Sequence, residues 1–384
     1  MGKFIPLSVP NLKGNEKKYV SKAIEDEWVS TGGASINAFE NVTAEYMHAT
    51  GAVACQNGTA GLHLSLLVNG IGNGDGVIVP ALTFIAAINP VRYIGAEPFF
   101  MDCDDTLCMD MKKTREFCET ECYIKNGELV HVKTGIVIKA MLVVHVFGNI
   151  ADLEAANEIC RDYNLTLIED ATEALGSYIT EGSLKGRFAG TVGSMGALSY
   201  NGNKLITTGG GGMVVSNDEE KLKKAKYLST QSKDDPLYAV HNEIGYNYRM
   251  TNLQAALGLA QMEQLEDFIN IKTENYKRYN ENGIKLLPFR DDIRPNYWFY
   301  SYVSGDRDGM MKFLAENQIQ TRPIWTLICD LPPYRTFAKY KIEKARFYQE
   351  RVVNLPCSTN LTPEEVDIVC DAIKKYEGQD RGNK

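Results

Sequence analysis

One lysine of the chain lies in a turn directly after a predicted buried strand. Residues 199–204, Ser-Tyr-Asn-Gly-Asn-Lys, place Lys204 behind a Gly/Asn turn, and four consecutive glycines follow at 209–212. A lysine that is desolvated in such a turn can lose its charge and attack a carbonyl group. A lone loop lysine is more commonly a solvated surface charge, so its role depends on the residues around it.

Two acidic residues end another predicted strand. Residues 167–173, Leu-Ile-Glu-Asp-Ala-Thr-Glu, place Glu169 and Asp170 at the end of an apolar run. The carboxyl ends of parallel strands form the ligand-binding edge of an α/β sheet, which favours carboxylates that face a bound molecule. The same pattern is also typical of a helix N-cap, and the spacing alone leaves both interpretations open.

A third segment, Gln-Asn-Gly-Thr-Ala at 56–60, joins a predicted strand to a helix. Free N–H groups at a helix start bind phosphate, although an ordinary strand-to-helix cap has the same composition. A phosphate site, a strand-end Asp170 and a turn Lys204 preceded by Ser199 are together the parts that a pyridoxal phosphate enzyme needs. In such an enzyme the lysine forms a Schiff base with the cofactor aldehyde, and the aspartate keeps the pyridine nitrogen protonated.

Alternating strands and helices must position these segments. The apolar runs predict strands at 51–55, 76–80, 98–101, 140–145, 165–168, 197–200 and 212–215, with helices at 89–93 and 152–163 and a further helix from residue 60. This alternation indicates an α/β fold, in which a mostly parallel sheet is sandwiched by helices.

Two segments depart from the alternation. Residues 122–139 have the pattern of a β-hairpin inserted at the sheet edge, with an Asn-Gly turn at 126–127. A long amphipathic helix is predicted over 253–276, and the extended and helical segments after it indicate an α+β unit. We therefore predict a large cofactor-binding domain over 1–260 and a smaller C-terminal domain over 261–384.

The composition argues against several functional classes. The 384 residues include 41 Lys and Arg against 49 Asp and Glu, and the net charge of −8 disfavours a nucleic-acid partner. No apolar run approaches the ~20 residues of a membrane span, and the first ten residues lack a signal-peptide core, so we expect a cytoplasmic protein without a membrane partner. Cys118 and Cys122 lack the further ligands of a zinc site, so we expect reduced thiols and no metal.

Eight short motifs occur in order over nearly the whole chain. They are Gly-Asn-Glu at 14–16, Trp-Val-Ser-Thr-Gly at 28–32, Asn-Gly-Thr-Ala at 57–60, Pro-Ala-Leu-Thr-Phe at 80–84, His-Val-Phe-Gly at 145–148, Glu-Asp-Ala at 169–171, Gly-Asn-Lys at 202–204 and Asn-Tyr-Arg-Met at 247–250. With these motifs the chain resembles the sugar aminotransferases of the DegT/DnrJ/StrS family, which use pyridoxal phosphate. The resemblance implies the type I aminotransferase fold.

The resemblance also implies the roles of individual residues. Lys204 would form the Schiff base and serve as the acid and base of the proton shift, Asp170 would pair with the pyridine nitrogen, and Glu173 would lie beside the cofactor's phenolic oxygen. The other implied cofactor contacts are Gly58, Thr59, Ala60 and Ser199 at the phosphate, Phe84 on the ring, and Asn247 at the phosphate of the neighbouring subunit. The last contact implies a homodimer with shared active sites.

A narrower resemblance concerns the substrate. Residues 199–204, 229–231, 241–249 and 321–325 look most like the enzymes of bacillosamine and legionaminic acid synthesis. This implies amino transfer from L-glutamate to C4 of a nucleotide-linked 4-keto-6-deoxy-N-acetylhexosamine, with UDP as the expected carrier. A C3-aminotransferase, a perosamine-type GDP-sugar 4-aminotransferase and a non-catalytic ligand-sensing regulator on the same fold stay open as alternatives. The expected substrate contacts are Trp28, Ser30, Thr31, His241 and Arg322.

Overall fold

The computed structural model describes residues 3–382, so the first two and last two residues of the predicted domains lie outside the described part. Its helices are α1 (Glu16–Glu25), α2 (Ala34–Tyr46), α3 (Gly58–Val68), α4 (Asn89–Tyr93), α5 (Met111–Thr120), α6 (Leu153–Asp162), α7 (Glu219–Ser229), α8 (Asn252–Met262), α9 (Leu265–Glu281), α10 (Arg307–Glu316), α11 (Lys344–Arg351) and α12 (Pro363–Gly382). None of these helices is both long and apolar enough to cross a membrane.

The strands alternate with helices over the first two-thirds of the chain. They are β1 (Gly51–Cys55), β2 (Gly76–Pro80), β3 (Glu97–Met101), β4 (Cys122–Lys125), β5 (Glu128–His131), β6 (Val137–Val144), β7 (Thr166–Asp170), β8 (Tyr178–Ile179), β9 (Met195–Ser199), β10 (Gly212–Ser216), β11 (Lys233–Asp235), β12 (Val240–His241), β13 (Ile293–Arg294), β14 (Tyr300–Val303), β15 (Arg322–Pro323), β16 (Lys339–Tyr340) and β17 (Val352–Leu355). The seven strands that the apolar runs predicted are all present, with ends shifted by a few residues at most.

A ten-stranded sheet forms the centre of the described structure. Its strand order is β1-β10-β9-β7-β6-β2-β3-β16, and the β4–β5 hairpin is attached to β6. Every neighbouring pair from β9 to β16 is parallel, whereas β10 is antiparallel to both β1 and β9. Nearly all residues of β2, β6 and β7 are buried, as expected for strands covered on both faces. The prediction of a mostly parallel α/β sheet is confirmed.

The predicted hairpin is present at the start of β6. Strands β4 and β5 pair antiparallel from Cys122 opposite His131 to Lys125 opposite Glu128, and β5 continues onto β6. The two turn residues, Asn126 and Gly127, have φ angles of 54° and 82°. Both angles are the left-handed values that a type I′ turn requires, which is why an Asn-Gly pair predicts this turn.

The single long helix predicted over 253–276 is wrong, because two helices, α8 and α9, occupy this stretch. The break lies at Glu263 and Gln264, whose side chains hold the start of α1. Asn15 Nδ2 donates to Glu263 at 2.7 Å, and Gln264 Nε2 donates to Glu16 at 2.6 Å. The interruption therefore coincides with tertiary contacts and not with a helix-breaking residue.

A three-stranded antiparallel sheet, β14-β17-β15, organises the C-terminal part of the chain. The N-terminal segment also packs here, because the N–H of Ile5 donates to Gln318 O at 2.9 Å and the N–H of Cys357 donates to Leu7 O at 2.8 Å. One strand from the C-terminal part, β16, joins the central sheet instead and pairs with its edge strand β3. The division of the chain near residue 260 stays a prediction.

Candidate active site

Lys204 lies in a tight turn after β9, where its N–H donates to Asn201 O at 3.0 Å. Its Nζ lies 4.1 Å from the centre of the Trp298 ring and 3.9 Å from Oε1 of Glu173. Burial lowers the pKa of the Lys204 amine, and the carboxylates of Glu173 and Asp170 oppose this effect. A lysine whose neutral form is favoured in this way can act as a nucleophile and as a proton acceptor.

Asp170 is the last residue of β7 and is almost completely buried. One oxygen of its carboxylate accepts a hydrogen bond from the N–H of Thr172 at 3.0 Å, and the side chain lines a cavity. Burial raises the pKa of this carboxyl, although Thr172 and Lys204 act in the opposite direction. An ionised Asp170 would therefore be stabilised by a cation inside the cavity.

Glu169, the other carboxylate of the strand end, is structural. Adjacent side chains of a strand point to opposite faces, so Glu169 and Asp170 face different sides of the sheet. Glu169 is completely buried. It accepts hydrogen bonds from His145 Nε2 at 2.8 Å and from the N–H groups of Gly190, Val192 and Gly193 at 2.8, 2.7 and 2.5 Å. These hydrogen bonds lower the pKa of Glu169 despite the cost of burial, so the two adjacent carboxylates have different roles.

Glu173 completes the polar floor of the cavity beside Lys204. Its Oε2 accepts a hydrogen bond from the N–H of Phe147 at 2.9 Å. Burial raises the pKa of Glu173 to about 7, although Lys204 and the Phe147 N–H act in the opposite direction. Burial raises the pKa of Glu173 and lowers that of Lys204, which brings the two pKa values closer together. Moving a proton from one group to the other therefore costs little free energy.

The start of α3 forms one end of the cavity. Gly58, Thr59 and Ser199, which the sequence analysis assigned to a phosphate site, line this cavity. Ala60 does not contribute its N–H group, because that N–H donates to the side chain of the N-cap residue Asn57 at 2.8 Å. The prediction that Gly58, Thr59, Ala60 and Ser199 contact the cofactor stays a prediction, and in this structure the Ala60 N–H is already bound by Asn57.

Glycine allows the close packing behind this predicted phosphate site. A Cβ added to Gly58 would lie 2.7 Å from Thr172 Cγ2 and 3.1 Å from Ser199 Cβ. A Cβ added to Gly212 would lie 2.4 Å from the carbonyl carbon of Asn57. Gly212, the last of the four glycines, is thus required because β10 passes close to the backbone of Asn57. Its role is close packing and not the flexibility of a turn.

The cavity has a volume of about 380 Å³ and connects all these groups. Phe84 lies on its wall with 54% of its surface exposed, so the ring is available to pack on a flat ligand. Arg322 also lines it, from the three-stranded sheet. Pyridoxal phosphate would fit these residues, because a protonated ring nitrogen would give the buried Asp170 a cationic partner, the helix start could accept a phosphate, and the Lys204 amine is within the same cavity.

Besides Ala60, five predicted site residues lie outside this cavity of their own chain. Trp28, Ser30 and Thr31 are exposed on the connection between α1 and α2, where Trp28 lines a separate groove. Asn247 is exposed in the loop after β12. His241 is exposed on β12, and its Nδ1 is 2.8 Å from Gln231 O. Their predicted roles in a neighbouring subunit or in substrate binding stay predictions.

The sequence did not identify an aromatic wall opposite the helix start. The described residues of this wall are Phe147, Trp298, Phe299 and Trp325, which line the cavity and pack on one another at ring-centre distances of 4.3 to 6.0 Å. The motifs at 145–148 and 321–325 contained two of these residues, but nothing in their spacing indicated that they meet. They come together because residues next to the three-stranded sheet line the same cavity as the strand-end Asp170.

Comparison with known proteins identifies the family of this chain. Residues 10–374 match the model of the DegT/DnrJ/EryC1/StrS aminotransferase family. The chain is 36% identical over 381 residues to a GDP-perosamine synthase of Escherichia coli O157:H7, covering 97% of this chain and 99% of the relative. It is 32% identical over 388 residues to a Bacillus subtilis (strain 168) protein named as a pyridoxal phosphate-dependent aminotransferase, EpsN, covering 97% and 96%.

A solved structure gives the same result for the fold. A DegT DnrJ EryC1 StrS aminotransferase from Brucella abortus is 26% identical, with a TM-score of 0.86 over 95% of both chains. The predicted type I aminotransferase fold is confirmed, whereas the narrower resemblance to bacillosamine and legionaminic acid enzymes is not supported by these relatives. The chain belongs to the DegT/DnrJ/EryC1/StrS aminotransferase family and is a pyridoxal phosphate-dependent nucleotide-sugar aminotransferase.

Proposed function

We propose that the enzyme transfers the amino group of L-glutamate to C4 of a nucleotide-linked 4-keto-6-deoxyhexose, with Lys204 as its catalytic residue. The observation that carries this proposal is the position of the Lys204 Nζ, which is largely shielded from solvent and lies 3.9 Å from Glu173 in the cavity that Asp170 lines. A neutral amine at this position can take a proton from the α-carbon of the amino donor and later deliver one to the sugar carbon.

Pyridoxal phosphate, when bound, supplies an electron sink for the carbanion that forms at the amino acid α-carbon. The protein's own residues prepare this chemistry. Asp170 would stabilise the positive charge on the ring nitrogen, while Gly58, Thr59 and Ser199 would hold the phosphate and so fix the ring position. Glu173 would exchange a proton with Lys204 Nζ, which keeps the amine neutral when it must accept a proton.

The carrier nucleotide is proposed as GDP. The support is the 36% identical relative, a GDP-perosamine synthase that aligns with nearly the full length of this chain. This corresponds to the perosamine-type alternative of the sequence analysis and displaces UDP as the first choice. A UDP-linked 4-keto-6-deoxy-N-acetylhexosamine is the second candidate, because residues 199–204 and 241–249 resemble enzymes of that class.

A competition between sugars tests this proposal. The holoenzyme is first treated with L-glutamate, and its visible absorption is followed as 4-keto-6-deoxy sugars linked to GDP or UDP are added. We expect the GDP sugar to restore the original absorption with a kcat/KM at least about tenfold higher, a difference of ~1.4 kcal/mol. A faster UDP sugar would favour the second candidate, and a spectrum that ignores glutamate would overturn the choice of donor.

The proposal includes a homodimer in which Asn247 completes the active site of the other subunit. Asn247 is exposed and lies outside the cavity of its own chain. The neighbouring hairpin segment also exposes large apolar side chains, with Leu237, Tyr238 and Ile244 at 80%, 76% and 84%. Exposed apolar clusters of this kind mark interaction surfaces, and a second copy of the chain would cover them.

Mixed dimers of Asn247→Ala and Lys204→Ala chains test the shared site. Each homodimer carries its defect in both sites, and we expect Asn247→Ala alone to weaken cofactor binding about tenfold through the lost phosphate contact. A mixed dimer should regain about half of the wild-type activity, because one of its two sites then contains both native residues. The control is a mixture of the two homodimers that have not exchanged subunits. If the mixed dimers are no more active than this mixture, a shared site is contradicted.

A further inference from the structure

Trp298 contacts the Lys204 turn in two ways. The face of its ring lies 4.1 Å below the Lys204 Nζ, and its indole Nε1–H donates to the carbonyl oxygen of Asn203 at 2.8 Å. The tryptophan itself is 3% exposed. Filling the core would not require the ring face and the N–H of this tryptophan to contact the same turn. The two contacts together therefore indicate that Trp298 acts on Lys204.

The backbone of Trp298 is fixed from both sides. Its N–H donates to Asn296 Oδ1 at 2.9 Å, and its carbonyl oxygen accepts from Lys272 Nζ at 3.0 Å. Asn296 also donates through Nδ2 to the carbonyl oxygen of Glu173 at 2.9 Å. The same short chain of hydrogen bonds therefore holds the segments that carry Trp298 and Glu173.

Lys272 is buried in an unusual way, because its Nζ binds backbone carbonyl oxygens. It donates to Trp298 and, in a second and shorter bond, to Cys357 O. Burial lowers the pKa of this amine, which shows that keeping it charged here costs free energy. A hydrophobic residue could fill the position without this cost, so the lysine supplies the hydrogen bonds that tie the Trp298 and Cys357 carbonyl groups together.

We propose that Trp298, held by Asn296 and Lys272, is a positioning residue that keeps the Lys204 amine directed towards Glu173. The proposal rests on the proposed catalytic role of Lys204. A lysine side chain has four rotatable carbons and no fixed direction, while the cavity around it is open on the ligand side. The ring face and the bond to Asn203 together remove this freedom, so that Lys204 meets Glu173 in one geometry before any ligand is bound.

A double-mutant cycle in the cofactor-free protein measures this positioning. The apparent pKa of Lys204 is obtained by competitive acetylation with acetic anhydride across pH, followed by peptide mass spectrometry. In the native background we expect Glu173→Gln to lower that pKa by about one unit, because a carboxylate stabilises the ammonium form. In a Trp298→Leu background we expect the same change to lower it by less than about a third as much, since coupling requires the two groups to stay close.

Two further variants keep the result decisive. Phe289→Leu is the matched control, because Phe289 packs on Tyr276 and Tyr297 in the same part of the fold; it should leave the coupling unchanged. Trp298→Phe keeps a ring face but loses the bond to Asn203, should give an intermediate coupling, and replaces the leucine variant if that one does not fold. Full coupling in the Trp298 variants, or an equal loss in Phe289→Leu, would overturn the inference.

The catalytic role of Lys204 is checked separately. Borohydride reduction of the holoenzyme followed by peptide mapping shows which lysine carries the cofactor. Attachment at another lysine would remove the basis of the proposed function, whatever the acetylation experiment shows. Attachment at Lys204 together with unchanged coupling in Trp298→Leu would leave the function in place and reject only the positioning role of Trp298.

Discussion

Replacing Lys204 with alanine is expected to lower kcat for both half-reactions by at least about 10³-fold, the largest effect of any single change in this chain. The lysine would supply both the covalent link to the cofactor and the group that moves the proton, and positioned acid–base catalysis alone contributes ~10²–10⁴-fold. No other lysine lines the cavity within the described residues, so no neighbouring amine can replace it.

The experiment measures single-turnover rates with L-glutamate and, separately, the visible absorption of the bound cofactor. Lys204→Arg is an informative second variant, because it keeps a positive charge near Glu173 but cannot act as a neutral nucleophile; it should be as inactive as the alanine variant. Lys185→Ala, at an exposed position, is the control for loss of a lysine. A Lys204→Ala protein with more than about a tenth of the native rate would contradict the assignment.

The parts of this site that the sequence predicted are those encoded by local patterns. Strand β2 and residues 140–144 of β6 are continuous apolar runs, and the Asn-Gly turn at 126–127 has the backbone angles that this pair favours. The strand-end Asp170 and the helix-start Gly58 follow from the same rules, because each lies next to the element that positions it. Local physics was sufficient to predict the carboxyl edge of the sheet.

The parts that the sequence missed depend on distant contacts. Trp298 is 94 residues from Lys204 and contacts it from the segment just before β14. The break between α8 and α9 contains no proline or glycine, and it follows from the contacts of Glu263 and Gln264 with α1. The hydrogen bond from the Ala60 N–H to Asn57 is local by contrast, since an asparagine at the N-cap position already predicts it.

Asp170→Asn is expected to have the second-largest effect, a fall of about 10²–10³-fold in kcat. Asparagine keeps an oxygen for the N–H of Thr172, so the local structure should persist. It cannot supply the negative charge that stabilises a protonated ring nitrogen, and the electron sink is weakened. Asp170→Glu is the matched variant with the charge retained at a displaced position, and it should lose less activity than the amide.

The same substitution should change stability in opposite directions with and without the cofactor. Burial raises the pKa of Asp170 in the folded protein, so ionising it costs the fold free energy. That cost is absent below the unfolded-state pKa of about 4, grows as pH rises, and is complete above the folded-state pKa. Without cofactor, Asp170→Asn should therefore melt at a higher temperature than the native protein at pH 8, and the difference should shrink as pH falls towards 4.

With saturating pyridoxal phosphate the order should reverse, because the native carboxylate then gains a cationic partner that the amide cannot use. Thermal melting of both proteins at pH 8, with and without cofactor, gives the four values needed. A native protein that melts higher in both states would show that Asp170 is adequately stabilised by the protein alone. The reversal would show that the cofactor-free site is destabilised by a charge held ready for the ring nitrogen, so that the same burial that costs stability strengthens binding and catalysis.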